Sequence, residues 1–143
     1  MTKTGAYKNV EPSEAAGRLR KARAYHEAAK LLLEHVEFLG DADPVMSNAI
    51  LAAIAYADAV TIAYGGRMNQ KDHASATKLL RDVLGKTLPD AQERRLGKLL
   101  KQKDEVQYGA AFGRTDTATL IVGELYEFGE WAKQILKERG FGA

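Results

Sequence analysis

Cysteine is absent from this chain, which excludes disulfides and any thiolate metal site. The three prolines fall at positions 12, 44 and 89, so long stretches between them are open to uninterrupted helix. No run of consecutive apolar residues approaches the roughly 20 needed to span a bilayer. The opening stretch, MTKTGAYKNVEPSE, lacks the apolar centre of a signal peptide and carries acidic residues that a transit peptide avoids. The expectation is therefore a cytoplasmic protein with no membrane partner. Also missing are the G-x-x-x-x-G-K-[ST] phosphate loop, the G-x-S-x-G elbow and the H-E-x-x-H zinc pair. His26, His35 and His73 are spaced too widely for a helix-borne metal pair. No metal and no cofactor are expected.

What is present describes an ordinary globular chain. At 143 residues, with 45% hydrophobic and 28% charged side chains, it can fold as one domain with a true core. Its net charge of +2 is unevenly distributed. Residues 1–66 hold 7 basic and 8 acidic side chains, residues 67–114 hold 11 and 6, and residues 115–143 hold 3 and 5. The middle third is where an anionic partner is to be sought. The bias is too small for a dedicated duplex-DNA binder.

Five helical segments are predicted, with no convincing strand and a flexible arm over residues 1–11. The first spans 12–39, with Pro12 in its first turn and Gly40 as its stop. Its seam is Ala15, Leu19, Ala22, His26, Ala29, Leu33 and Val36. The second starts at Asp43-Pro44 and ends at Gly65-Gly66. It is apolar on nearly every side, so it belongs at the bundle centre, at a subunit interface, or at both. The third covers 72–85 and buries Ala76, Leu79, Leu80 and Val83. The fourth opens at Pro89-Asp90 and turns Leu96, Leu99, Leu100 and Val106 inward as far as about residue 107. Thr115 or Asp116 caps the fifth, whose inward stripe is Ala118, Ile121, Leu125, Phe128, Ala132 and Ile135, with Glu124, Glu127 and Glu130 on a hydrated outer face. Short connections between amphipathic helices give an all-α antiparallel bundle.

Four polar residues interrupt this pattern. Lys103 continues the inward stripe of the fourth helix, so it must snorkel, pair with a carboxylate or face an anion-binding groove. Asp58 lies on the apolar second helix and reads either as a buried ion pair or as a ligand carboxylate. His26 in the first seam is a core histidine or a base. Tyr108 either seals a core edge or reaches a bound phosphate.

These residues also carry a resemblance. The stretch AYADAVTIAYGGRMNQKDHASATKLL is similar to the second and third helices of the HEPN superfamily, where a Gly-Arg turn leads into a K-D-H-x-x-A helix start. LLKQKDEVQYGA resembles the K-x-x-x-x-Y segment of a HEPN-like subgroup, matched by Lys103 and Tyr108. The likeness runs over residues 19–136. It implies a helical bundle that forms homodimers. Active members of the family are metal-independent RNases of toxin–antitoxin and defence systems, using an arginine followed, after four to six intervening residues, by a histidine near the start of the last long helix. Such a pair suits the chemistry, with histidine moving a proton of the ribose 2′-hydroxyl and arginine stabilising phosphate charge. The corresponding segment here, LKQKDEVQYGAAFGRTD, has no histidine, a departure that argues against RNase activity. The spacing recurs at Arg20–His26, inside the first helix, and at Arg67–His73, across a turn. With nine arginines and three histidines, roughly half a match arises by chance. Arg67 also reads as shielding the last carbonyls of the second helix, and His73 as packing on Ala76.

Three readings remain open. The first is a non-catalytic dimeric module binding an anion or nucleotide, with Lys103, Tyr108, Lys101, Arg114 and Asp58 as ligand-binding candidates and Arg67 and His73 nearby. The second is an RNase toxin with Arg67 and His73 catalytic. The third is a structural subunit of a defence or regulatory complex. The partners implied are a second copy, an antitoxin or nucleotidyltransferase-like protein, and RNA or a nucleotide.

Overall fold

The computed structural model describes residues 7–108 and 114–142, apart from the side chains of residues 104, 105, 107 and 108. The described chain is an all-α bundle. Its helices are α1 (Ala15–Glu34), α2 (Val36–Leu39), α3 (Asp43–Gly65), α4 (Ala74–Leu84), α5 (Asp90–Tyr108) and α6 (Thr115–Glu138), with single 3-10 turns at Pro12–Glu14 and Gly85–Thr87.

α3 is the axis, and α1, α4, α5 and α6 all pack on it. Its alanine-rich sequence lets neighbouring backbones approach closely, and Val45, Ala49, Ala52, Ala53, Tyr56, Val60 and Ile62 are completely or almost completely buried. Length and composition alone would let α3 cross a membrane, but 78% of its most apolar window is buried inside the bundle. The centre of the bundle is thus where this helix belongs.

Around this axis the expected stripes fall into place. Ala15, Leu19, Ala22, His26 and Ala29 bury one face of α1, and Leu96, Leu99 and Leu100 one face of α5. On α6 the buried set is Ala118, Ile121, Leu125, Phe128, Ala132 and Leu136, with Ile135 only half-buried. Side-chain ties close the seams. Arg81 joins α4 to Glu93 and Asp90 of α5. Glu124 of α6 is held by Lys98 at 2.7 Å and Arg95 at 3.4 Å from α5. Glu124 is therefore an interhelical anchor rather than part of a hydrated face.

Two local features depart from the sequence reading. The expected first helix breaks at His35, because the His35 ring Nδ1 lies 3.0 Å from the Leu31 carbonyl. The His35 backbone N–H bonds the Leu32 carbonyl instead, so side chain has replaced backbone at the i−4 position. The second departure is a short sheet. Tyr7–Asn9 (β1) pairs antiparallel with Arg67–Asn69 (β2) in the register Tyr7↔Asn69, Lys8↔Met68 and Asn9↔Arg67. Part of the expected flexible arm is thus tied down. Gly66, left-handed at φ 62°, ends α3 and turns the chain into β2, while its carbonyl accepts from Val10 N–H at 2.9 Å. At this same end of α3, Tyr64 donates to the Ile135 carbonyl at 2.7 Å and lies under Arg139.

Candidate functional site

The strongest candidate is a groove formed by the first half of α3, the start of α4 and the late part of α5. Helical spacing builds each wall. Ser47, Ile50 and Leu51 share one face of α3 at i, i+3 and i+4, and Lys103 and Val106 share one face of α5 at i, i+3. His73 closes the groove from the start of α4, and the volume is about 380 Å3.

A local hydrogen-bond cluster fixes His73. The Asp72 carboxylate accepts from Ser75 N–H at 3.1 Å and from Ser75 Oγ at 3.0 Å, and Asn69 Nδ2 donates to the Asp72 carbonyl. This side-chain bonding covers exposed amides at the first turn of α4. The imidazole is partly buried, and its Nδ1 is buried without a hydrogen-bond partner among the described residues. Burial, followed by the positive charge of Lys103, lowers the His73 pKa, while Asp72 opposes the shift. Lys103 has no carboxylate partner among the described residues. The groove therefore joins an aliphatic wall to an ammonium group and a neutral imidazole. Both polar groups can hydrogen-bond an anion.

The other candidates lie elsewhere. Asp58 is buried and takes a hydrogen bond from Arg18 Nη2 at 3.1 Å, the structural ion pair that was one of its two readings. Burial raises its pKa to about 6 against the opposing effect of Arg18. Arg67 lies on β2 with its guanidinium 4.9 Å from the Tyr7 ring centroid, a cation–π contact rather than a cap on the carbonyls of α3. Lys101 is exposed on α5. Arg114 is also exposed and binds Asp116 at 2.9 Å. Arg67, Lys101 and Arg114 do not line the groove: Arg67 lies on β2, Arg114 precedes α6, and Lys101 is two residues from Lys103 on α5, hence on another face of that helix. Tyr108 is the last residue of α5, and its side chain lies outside the described residues.

His26 is a core residue, 7% exposed, with Nδ1 2.9 Å from the Tyr56 hydroxyl. Sequence reasoning missed the pairing because the two residues are thirty positions apart on different helices. It also missed Ser47, Ile50 and Leu51 as a wall, since they read as continuous apolar helix. Among the described residues, no three His, Asp or Glu side chains gather as a metal site requires. No family model matches the chain, and no curated protein matches it.

Proposed function

We propose that this chain is a non-catalytic, HEPN-like binding module that takes an anion with an apolar or planar body. A nucleotide or an RNA end is the ligand class that suits it best. The observation carrying this reading is that Lys103 and His73 share one groove with Ile50, Leu51 and Val106. Its volume, about 380 Å3, is of the order found for small-molecule sites. Phosphate bonds to Lys103 and His73 while the ligand body covers the aliphatic wall. The HEPN resemblance also supports a homodimer, working with an antitoxin or nucleotidyltransferase-like partner. An ultracentrifugal mass that stays monomeric at all concentrations contradicts the dimer.

The RNase alternative has less support. Arg67 is engaged by Tyr7, whereas His73 faces Lys103 across the groove. Incubating metal-free protein with labelled single-stranded RNA separates the two. The binding reading expects intact RNA and salt-sensitive retention that weakens in Lys103→Ala. Cleavage that is lost in His73→Ala assigns Arg67 and His73 to catalysis instead.

A further inference from the structure

A second cleft, sharing no lining residue with the first, opens between α1, α3 and α6. It has a volume of about 260 Å3 and is lined by His26, Tyr56 and Tyr126 together with Arg23, Lys30, Lys133, Glu27 and Glu130. Tyr56 is completely buried, with its hydroxyl 2.9 Å from His26 Nδ1 and α6 packed closely over its ring. A Cβ on Gly129 would lie 2.9 Å from Tyr56 Cε2, so only glycine leaves room for the ring in this position.

The protons of this pair can be placed. Burial pushes the Tyr56 hydroxyl up to about 12, with Arg23 opposing, so it keeps its proton at neutral pH. Its hydrogen-bond partner among the described residues is His26 Nδ1, 2.9 Å away. Donation to Nδ1 leaves the ring hydrogen of a neutral imidazole on Nε2. Burial, then Lys133 and Lys30, keep His26 neutral, against smaller opposing effects of Glu27 and Glu130. Nε2 is buried and has no hydrogen-bond partner among the described residues. A buried donor without an acceptor is costly enough to call for an explanation.

The surroundings indicate what accepts from it. Arg23, Lys30 and Lys133 line the cleft together with the carboxylates of Glu27 and Glu130. Lys30 is 3.6 Å from Glu27, and Lys133 is 2.6 Å from Glu130. Each ammonium has three donors, so one carboxylate contact leaves capacity for another acceptor. We propose that this cleft is a second binding site, for a small oxyanion (a carboxylate or a phosphate group), with His26 Nε2–H donating to one oxygen and Lys30 and Lys133 supplying charge. Tyr56 is a positioning residue that sets the imidazole tautomer.

The test is NMR of the full chain with histidine rings labelled, titrated separately with inorganic phosphate and with acetate. The His26 Nε2 resonance shifts saturably with at least one of them. Phosphate alone identifies a phosphate-ester ligand, and acetate alone a carboxylate. Lys133→Gln, a change at a half-exposed position, weakens the response roughly tenfold. Tyr56→Phe alters the Nε2 signal before any anion is added. If His26 stays unmoved by both anions while the variants remain folded, the site does not exist. An affinity unchanged in a Lys30→Gln, Lys133→Gln double variant equally overturns it.

Discussion

Arg18 Nη2 lies 3.1 Å from the Asp58 carboxylate and ties α1 to the central helix across forty residues of chain. Asp58 is nonetheless raised to about 6, because burial outweighs the guanidinium. The folded state therefore binds a proton that the unfolded state releases between the ordinary value of 3.8 and about 6. Stability from this group is present at low pH and lost as pH rises through that window. Arg18→Ala leaves an uncompensated buried carboxylate at neutral pH, costing about 2 kcal/mol. Chemical denaturation should show that cost shrinking below pH 6, where Asp58 is neutral. A penalty independent of pH contradicts the ion-pair account.

Asp58→Asn provides a background in which the histidines can be seen. His26 and His73 are both lowered from 6.5, chiefly by burial. The unfolded state then binds more protons just below 6.5, so their stabilisation is present above that pH and lost as it falls. In Asp58→Asn, the thermal midpoint should drop on acidification from pH 7 towards 5. A midpoint that rises or stays level over this range contradicts neutral, buried imidazoles.

Gly129 tests the close passage of α6 over Tyr56. Alanine there brings its Cβ to within 2.9–3.1 Å of the Tyr56 ring and hydroxyl. Overpacking of this kind costs about 1–3 kcal/mol, and a displaced ring should also lengthen the hydroxyl contact with His26. Denaturation together with the His26 ring shifts reads both effects. Unchanged stability and unchanged shifts contradict the packing described.

The bundle was largely legible because 3.6-residue periodicity marks the buried faces of α1, α5 and α6, and uniform apolarity marks α3 as the axis. The β1–β2 pair was not, because three-residue strands show too little alternation to register. Nor was the break at His35, which depends on one side-chain bond to the Leu31 carbonyl. Lys103 stood out as a polar interruption and His73 through its spacing from Arg67, and the two line the same groove. The wider basic cluster did not assemble, because charge along a sequence does not specify helix faces. Arg67 went to Tyr7 and Arg114 to Asp116. Asp58 was readable as a polar residue in the core, but its partner on another helix was not.

The groove itself is tested most directly by NMR titration of the His73 ring with adenosine monophosphate, in the native chain and in Lys103→Gln. Lys103 charge contributes to the depression of the His73 pKa, so a bound phosphate offsets that charge. The account predicts a saturable shift of His73, a rise in its pKa on binding, and an affinity at least roughly tenfold weaker in Lys103→Gln. A His73 signal that does not saturate, or one whose response is the same without the lysine charge, contradicts it.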